Sequence, residues 1–148
     1  MPSNVELKAR LADRSRLIDV VRTMAHAHSV LRQQDTYFGA ARGRLKLRLQ
    51  ELLAENGEAQ RLLSRSMGVR GIVQKRRDLF LVGQTRVHVD TVEGLGDFVE
   101  LEVVLEDTQT TEDGQAIAKG LCKELGIGDD GLISGSYIDM LPHQPLWQ

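Results

Sequence analysis

The residues best suited to chemistry in this chain stand in alternation with aliphatic ones. Arg44, Lys46 and Arg48 alternate with Leu45, Leu47 and Leu49, and Glu100 and Glu102 alternate with Val99, Leu101 and Val103. A period of two puts each charged set on one face of a strand. One strand then has a wholly cationic polar side and another a wholly anionic one, whereas a face that served solubility alone would intersperse the signs. Lys75 and Arg77 fall on one side with Val73 and Leu79, and Arg86, His88 and Asp90 stand opposite Val87 and Val89. Near the N-terminus Asn4, Glu6, Lys8 and Arg10 alternate with Val5, Leu7 and Ala9. Lys and Arg take phosphate oxygens through charge-assisted hydrogen bonds. Carboxylates two apart on a strand, roughly 7 Å along the chain, can share hard cations. The chemistry implied is that of holding a polyphosphate accompanied by a divalent metal.

The distribution of charge points the same way. The 148 residues carry a net charge of -2. Before Asp90 there are 17 Lys and Arg against 8 Asp and Glu, and from Asp90 onward 2 against 13. The small total argues against a non-specific nucleic-acid binder, which needs a basic excess to displace counterions. No run of about 18 apolar residues suggests a membrane span, and MPSNVELKAR lacks the apolar core of a secretory signal, so a cytoplasmic protein is expected. The single Cys122 has no partner for an internal disulfide, and its setting in AIAKGLCKELG is that of the buried side of a helix.

The elements carrying these residues are legible from periodicity. Strands are expected at residues 4–10, 35–38, 44–49 and 72–82, over TRVHVD, and over FVELEVVL after a tight GLG turn at 94–96. Asp13 is a plausible N-cap for a helix carrying Leu17, Val20, Val21, Met24 and Leu31, with His26 and His28 on its surface. On a helix two residues two apart do not share a face, which argues against a zinc pair there. A short helix with Leu62, Leu63 and Met67 follows Asn56 and Gly57. Thr110 or Thr111 caps a last helix with Ile117, Leu121 and Leu125 on its buried stripe and Gly126 beyond its end. YIDML at 137–141 suits a terminal strand. The chain has no GxxxxGK[ST] loop and no convincing Ser/His/Asp or Cys/His arrangement.

NVELKAR, QDTYF, GRLKLRL, VQKRRDLFLVG and VHVDTVEGLGDFVELEVVLED together resemble the CYTH domain, the triphosphate tunnel metalloenzyme family, in its class IV adenylyl cyclase-like branch. The resemblance covers nearly the whole chain. It implies an α+β fold: an antiparallel β-barrel lined by ionic residues, with helices packed outside, as one domain over residues 1–141 and a tail at 142–148. It implies a nucleoside or inorganic triphosphate as ligand, Mg2+ or Mn2+ as cofactor and a possible homodimer, while charge and hydropathy lead to the expectation of no nucleic-acid and no membrane partner. Carried over by position, Lys8, Lys46, Arg48, Lys75 and Arg77 match phosphate ligands. Glu6, Asp90, Glu100 and Glu102 match metal-side carboxylates, and Lys8, Glu100 and Glu102 are the catalytic candidates. The family's N-terminal Glu-x-Glu-x-Lys falls on Asn4, Glu6 and Lys8, so its first acid is replaced. A central hairpin usual in the family is absent after GRLKLRLQ, which predicts an incomplete or open barrel.

Overall fold

A computed structural model of the chain describes residues 3–39, 44–52, 69–128 and 131–133. The described elements are β1 (Asn4–Arg10), α1 (Arg14–Met24), β2 (Ala27–Gly39), β3 (Arg44–Leu52), β4 (Val69–Val82), β5 (Thr85–Val92), β6 (Gly96–Val104), α2 (Thr111–Leu125) and β7 (Leu132–Ile133). The strands form an antiparallel sheet in the order β3-β2-β4-β5-β6-β1-β7, which hydrogen bonds do not close into a ring among the described residues. This is the α+β architecture expected, in its open form. β3 and β4 do not pair with each other, because β2 lies between them.

The chain divides into two compact units. The first takes in residues 1–29, 78–90 and 97–134. Its core joins Ala9 of β1, Leu17, Ile18 and Val21 of α1, Phe80, Val87 and Val89, Val99 and Leu101 of β6, and Leu121 and Leu125 of α2. Each large side chain removed fully from water there contributes about 1.5–3 kcal/mol. Alternation carries this core: Val99, Leu101 and Val103 are fully buried, whereas Glu100 and Glu102 are only partly so. The second unit takes in residues 30–77, 91–96 and 135–148, and its described buried residues include Leu31, Gln33, Asp35, Tyr37, Val73, Lys75 and Arg77.

Local signals set the helix ends. Asp13 accepts a hydrogen bond from the Arg16 amide and starts α1. Thr110 caps α2 in a reciprocal box, its hydroxyl accepting from the Asp113 amide while the Asp113 carboxylate accepts from the Thr110 amide. Gly126 ends α2 at φ 74°, a left-handed conformation that favours glycine. Gly94 and Gly96 at φ 82° and 107° form the turn between β5 and β6 where GLG predicts it.

Two expectations need correction. The first helix does not run to Leu31. It stops at Met24, where Ala25 turns extended, and residues 27–39 form a strand that begins well before DTYF. Leu31 happens to continue the helical spacing from Leu17 and Met24, but it lies buried on a strand. His28 is therefore a strand residue and not a helix-surface one, and His26 precedes that strand. The second correction concerns β4. Val73, Lys75, Arg77 and Leu79 are expected on one side, but only the first three are buried; Leu79 is partly exposed, while Asp78 and Phe80 on the other side are buried, Phe80 in the core of the first unit. A strand for which there was no expectation, β7, pairs Lys8 with Ile133 and Ala9 with Leu132 and is too short for any periodicity to announce it. The short helix expected around Leu62–Met67, the strand at 137–141 and the tail at 142–148 lie outside the described residues.

Candidate functional site

In the first unit, β1 and β6 pair so that Glu6 stands directly opposite Glu102 and Lys8 opposite Glu100. Side chains opposite each other across an antiparallel pair point to the same side, so the N-terminal alternation and the glutamate pair share one ionic face. Lys8 Nζ lies 3.9 Å from Glu100 Oε2. Glu102 receives several partners on this face. The Asn4 amide donates to its Oε2 at 2.9 Å, and Arg86 and His88 approach its Oε1 at 3.5 and 3.6 Å. Asp90 lies two residues beyond His88 on β5 and is fully buried.

In the second unit, β2 and β3 set Asp35 opposite Arg48 and Tyr37 opposite Lys46. Arg48 donates through Nε and Nη2 to the two oxygens of Asp35, at 2.7 and 2.9 Å, and Lys75 Nζ reaches Asp35 Oδ2 at 3.4 Å. Asp35 and Lys75 are almost inaccessible, whereas a third of the Arg48 side chain is exposed. Burial alone pushes the Asp35 carboxyl up. The Arg48 hydrogen bond and the charges of Lys75, Arg48 and Lys46 outweigh burial and hold it below the usual carboxylate range. The same carboxylate raises Arg48 above the ordinary guanidinium value, against burial and against the like charge of Arg77. Lys46 and Arg48 of β3 and Lys75 of β4 thus act on the one carboxylate of Asp35, and Arg77 of β4 lies near enough to Arg48 to oppose its charge.

Asp35 escaped the sequence reading, because a lone acid in DTYF carries no periodic signal and its role depends on the register of β2 against β3. A second missed group lies in the first unit. Asp78 takes Arg14 Nη2 at 2.8 Å and His28 Nε2 at 2.9 Å, and the His28 ring stacks on Phe80 with centroids 4.1 Å apart. Arg14, His28 and Asp78 are 14 and 50 residues apart in the chain, so spacing could not have joined them.

Among the described residues both ionic faces lie on strands of the antiparallel sheet. The sequence profile of the CYTH domain matches residues 3–137. The chain belongs to the CYTH domain family. It is 33% identical over 75 residues to the adenylate cyclase CyaB of Aeromonas hydrophila, a match that covers 49% of this chain and 39% of that protein. It is 27% identical over 92 residues to a candidate adenylate cyclase of Methanocaldococcus jannaschii, covering 61% of this chain and 53% of the other. The matched part is thus about half the length of these relatives or less. A solved protein from Pyrococcus horikoshii superimposes with a TM-score of 0.71 at 19% identity, over 95% of this chain and 100% of that one. A candidate adenylyl cyclase from Hippeastrum, described as having a dominant triphosphatase activity, superimposes with a TM-score of 0.60 at 15% identity, over 95% of this chain and 94% of that one. At these identities the solved structures establish the shared fold.

The family resemblance implies a divalent metal, and the acidic face can be tested for fit. No group of three or more His, Cys, Asp or Glu side chains converges as a protein-only cage among the described residues. Glu6 opposite Glu102 is nonetheless a like-charge cross-strand pair, which is destabilising on its own. Carboxylates are donors of the type that a hard divalent cation takes when ligand and water complete its shell.

Proposed function

We propose that this chain binds a triphosphate together with Mg2+ or Mn2+ and catalyses phosphoryl chemistry on it, as an adenylyl cyclase-like or triphosphate-hydrolysing enzyme. The observation that carries the reading is the cationic cluster of the second unit, where Arg48 and Lys75 both reach the one carboxylate of Asp35, Lys46 stands one step along the same ladder face and the like charge of Arg77 opposes Arg48. A polyanionic ligand relieves that repulsion. Support comes also from CyaB of Aeromonas hydrophila and from the triphosphatase activity ascribed to the Hippeastrum protein.

In this reading Lys46, Arg48, Lys75 and Arg77 neutralise phosphate oxygens. Lys8 does the same on the acidic face while holding Glu100 in place. Glu6, Glu100 and Glu102 hold the metal, with Asp90 a further carboxylate of that set. A divalent cation bound there neutralises charge that develops on the transferring phosphoryl group. Positioning and electrostatics supply the rest, since phosphoryl transfer asks little covalent chemistry of the protein. If a ribose 3′-hydroxyl attacks the α-phosphorus, the products are a cyclic nucleotide and pyrophosphate. If water attacks the terminal phosphorus, phosphate is released and a diphosphate remains.

One observation favours a second reading, a binder that does not turn its ligand over. Asn4 stands where the family's first acid is expected, and its amide is bonded to Glu102 Oε2. One incubation separates the two. Purified protein is given ATP, thiamine triphosphate or tripolyphosphate with magnesium or manganese, and cyclic AMP, pyrophosphate and phosphate are quantified. Metal-dependent product is expected; binding without product in every arm leaves the non-catalytic reading.

A further inference from the structure

The acidic face of the first unit supplies its own counter-charges. Lys8 Nζ stands 3.9 Å from Glu100 Oε2, and Arg86 Nη1 stands 3.5 Å from Glu102 Oε1. Glu100 and Glu102 are thus each answered by a cation before any ligand arrives. The Asn4 contact is of another kind. Its Nδ2 donates to Glu102 Oε2 at 2.9 Å, closer than either Arg86 or His88 comes to Oε1.

Register explains how Asn4 reaches that oxygen. Asn4 pairs with Val104 and Glu6 with Glu102, so Asn4 and Glu6 are successive residues on the polar side of β1, one diagonal to Glu102 and the other directly opposite it. Asn4 is exposed, and its hydrogen bond is not required to satisfy a buried group. Its effect falls on Glu102. An amide N–H that donates to a carboxylate oxygen occupies a lone pair that a cation would take, and the neutral amide brings no charge to hold the cation. The face accordingly falls short of a cage built from protein alone: no group of three or more His, Cys, Asp or Glu converges among the described residues. A hard cation held by one or two carboxylates needs phosphate oxygens and water to complete its shell.

We propose that Asn4 is a positioning residue that sets the acidic face against a free divalent cation, so that the metal is taken only together with the phosphates of the ligand. It does so through Glu102, whose Oε2 it ties. An aspartate at the same position would place a third carboxylate beside Glu6 and Glu102 and convert the face into a site for the bare ion. The inference rests on the triphosphate-binding reading and concerns the order in which that same site is filled.

Calorimetric titration of the full chain tests it, with manganese alone, with a preformed complex of manganese and tripolyphosphate, and with metal-free tripolyphosphate. Wild type is expected to bind the complex and to give no saturable heat with manganese alone. Asn4→Asp removes the donor and adds a carboxylate, and manganese alone should then bind about tenfold or more above the limit set by wild type. Asn4→Ala removes the donor without adding charge and should lie between the two. Metal-free tripolyphosphate should bind all three proteins alike, which a loss of fold would not allow. Manganese alone binding wild type as tightly as Asn4→Asp, no gain in Asn4→Asp, or tripolyphosphate binding that is indifferent to manganese would overturn the role of Asn4 while leaving triphosphate binding intact. If wild type binds neither the complex nor tripolyphosphate, the reading beneath it fails as well.

Discussion

Asp35 is where one atom-level change has the clearest consequence. Its carboxylate neutralises two cations while almost inaccessible, and removing one partner of a buried pair leaves the others uncompensated. Asp35→Asn is expected to lower stability by about 3 kcal/mol at neutral pH. The pH dependence comes from the direction of the shift. Because the folded carboxyl is held below its ordinary value of 3.8, the unfolded chain binds the proton more readily. The stabilisation is then fully present above 3.8 and disappears as pH falls through the lower folded value. Urea melts of wild type and Asp35→Asn from neutral to strongly acidic pH should therefore converge only below the ordinary carboxylate range. On the acidic face, Glu102→Ala is expected to reduce metal-dependent turnover by about 10²-fold or more and to raise the magnesium concentration needed for half-maximal rate. Turnover that survives unchanged would remove Glu102 from the metal site. Neither Asp35 nor the Asp78 group could be found by motif or spacing, since each depends on which strand lies alongside which.

At the scale of elements, α2 shows how closely a helix can be seated on a sheet. A Cβ at Gly114 would lie 2.6 Å from both Leu105 Cδ2 and Val5 Cγ2. The leucine can swing aside, but the β-branched Val5 is stiff on its strand. Gly114→Ala gains about 1 kcal/mol of helix propensity and incurs overpacking of about 1–3 kcal/mol. A net loss of about 1 kcal/mol is expected in thermal or urea melts, and Val5→Ala in the same chain should recover most of it. The strands were the more readable elements, because alternation over β1, β3 and β6 leaves only one register that hides the aliphatic side, whereas in β5 the polar His88 and Asp90 are buried along with Val87 and Val89. The α1–β2 junction was not readable. Leu17, Met24 and Leu31 sit seven residues apart and satisfy a helix, while residues 27–39 satisfy a strand only when β4 and β3 flank them.

For the whole molecule, the segregation of charge along the chain is matched by its division into units. Lys46, Arg48, Lys75 and Arg77 belong to one unit, and Glu6, Lys8, Glu100 and Glu102 to the other. No helix among the described residues is long and apolar enough to cross a membrane. A cationic cluster attracts a polyanion over a distance set by screening. Raising ionic strength from about 0.1 M to about 1 M shortens that distance from roughly 10 Å to 3 Å. Tripolyphosphate affinity should fall by about tenfold or more over that range, and a salt-independent affinity would argue against the cations as its ligands.

Local sequence was enough to specify the strands with one ionic face, both helix N-caps, the GLG turn and the family, because each is written in periodicity, short-range hydrogen bonding or a contiguous motif. Tertiary structure was needed to establish that Glu6 faces Glu102, that Asp35 joins Arg48 to Lys75, and that Asn4 donates to Glu102. The physical reason is register. Alternation states which face a side chain takes, but its partner on that face is chosen by the alignment of a neighbouring strand, and for Lys75 and Asp35 that neighbour lies 40 residues away.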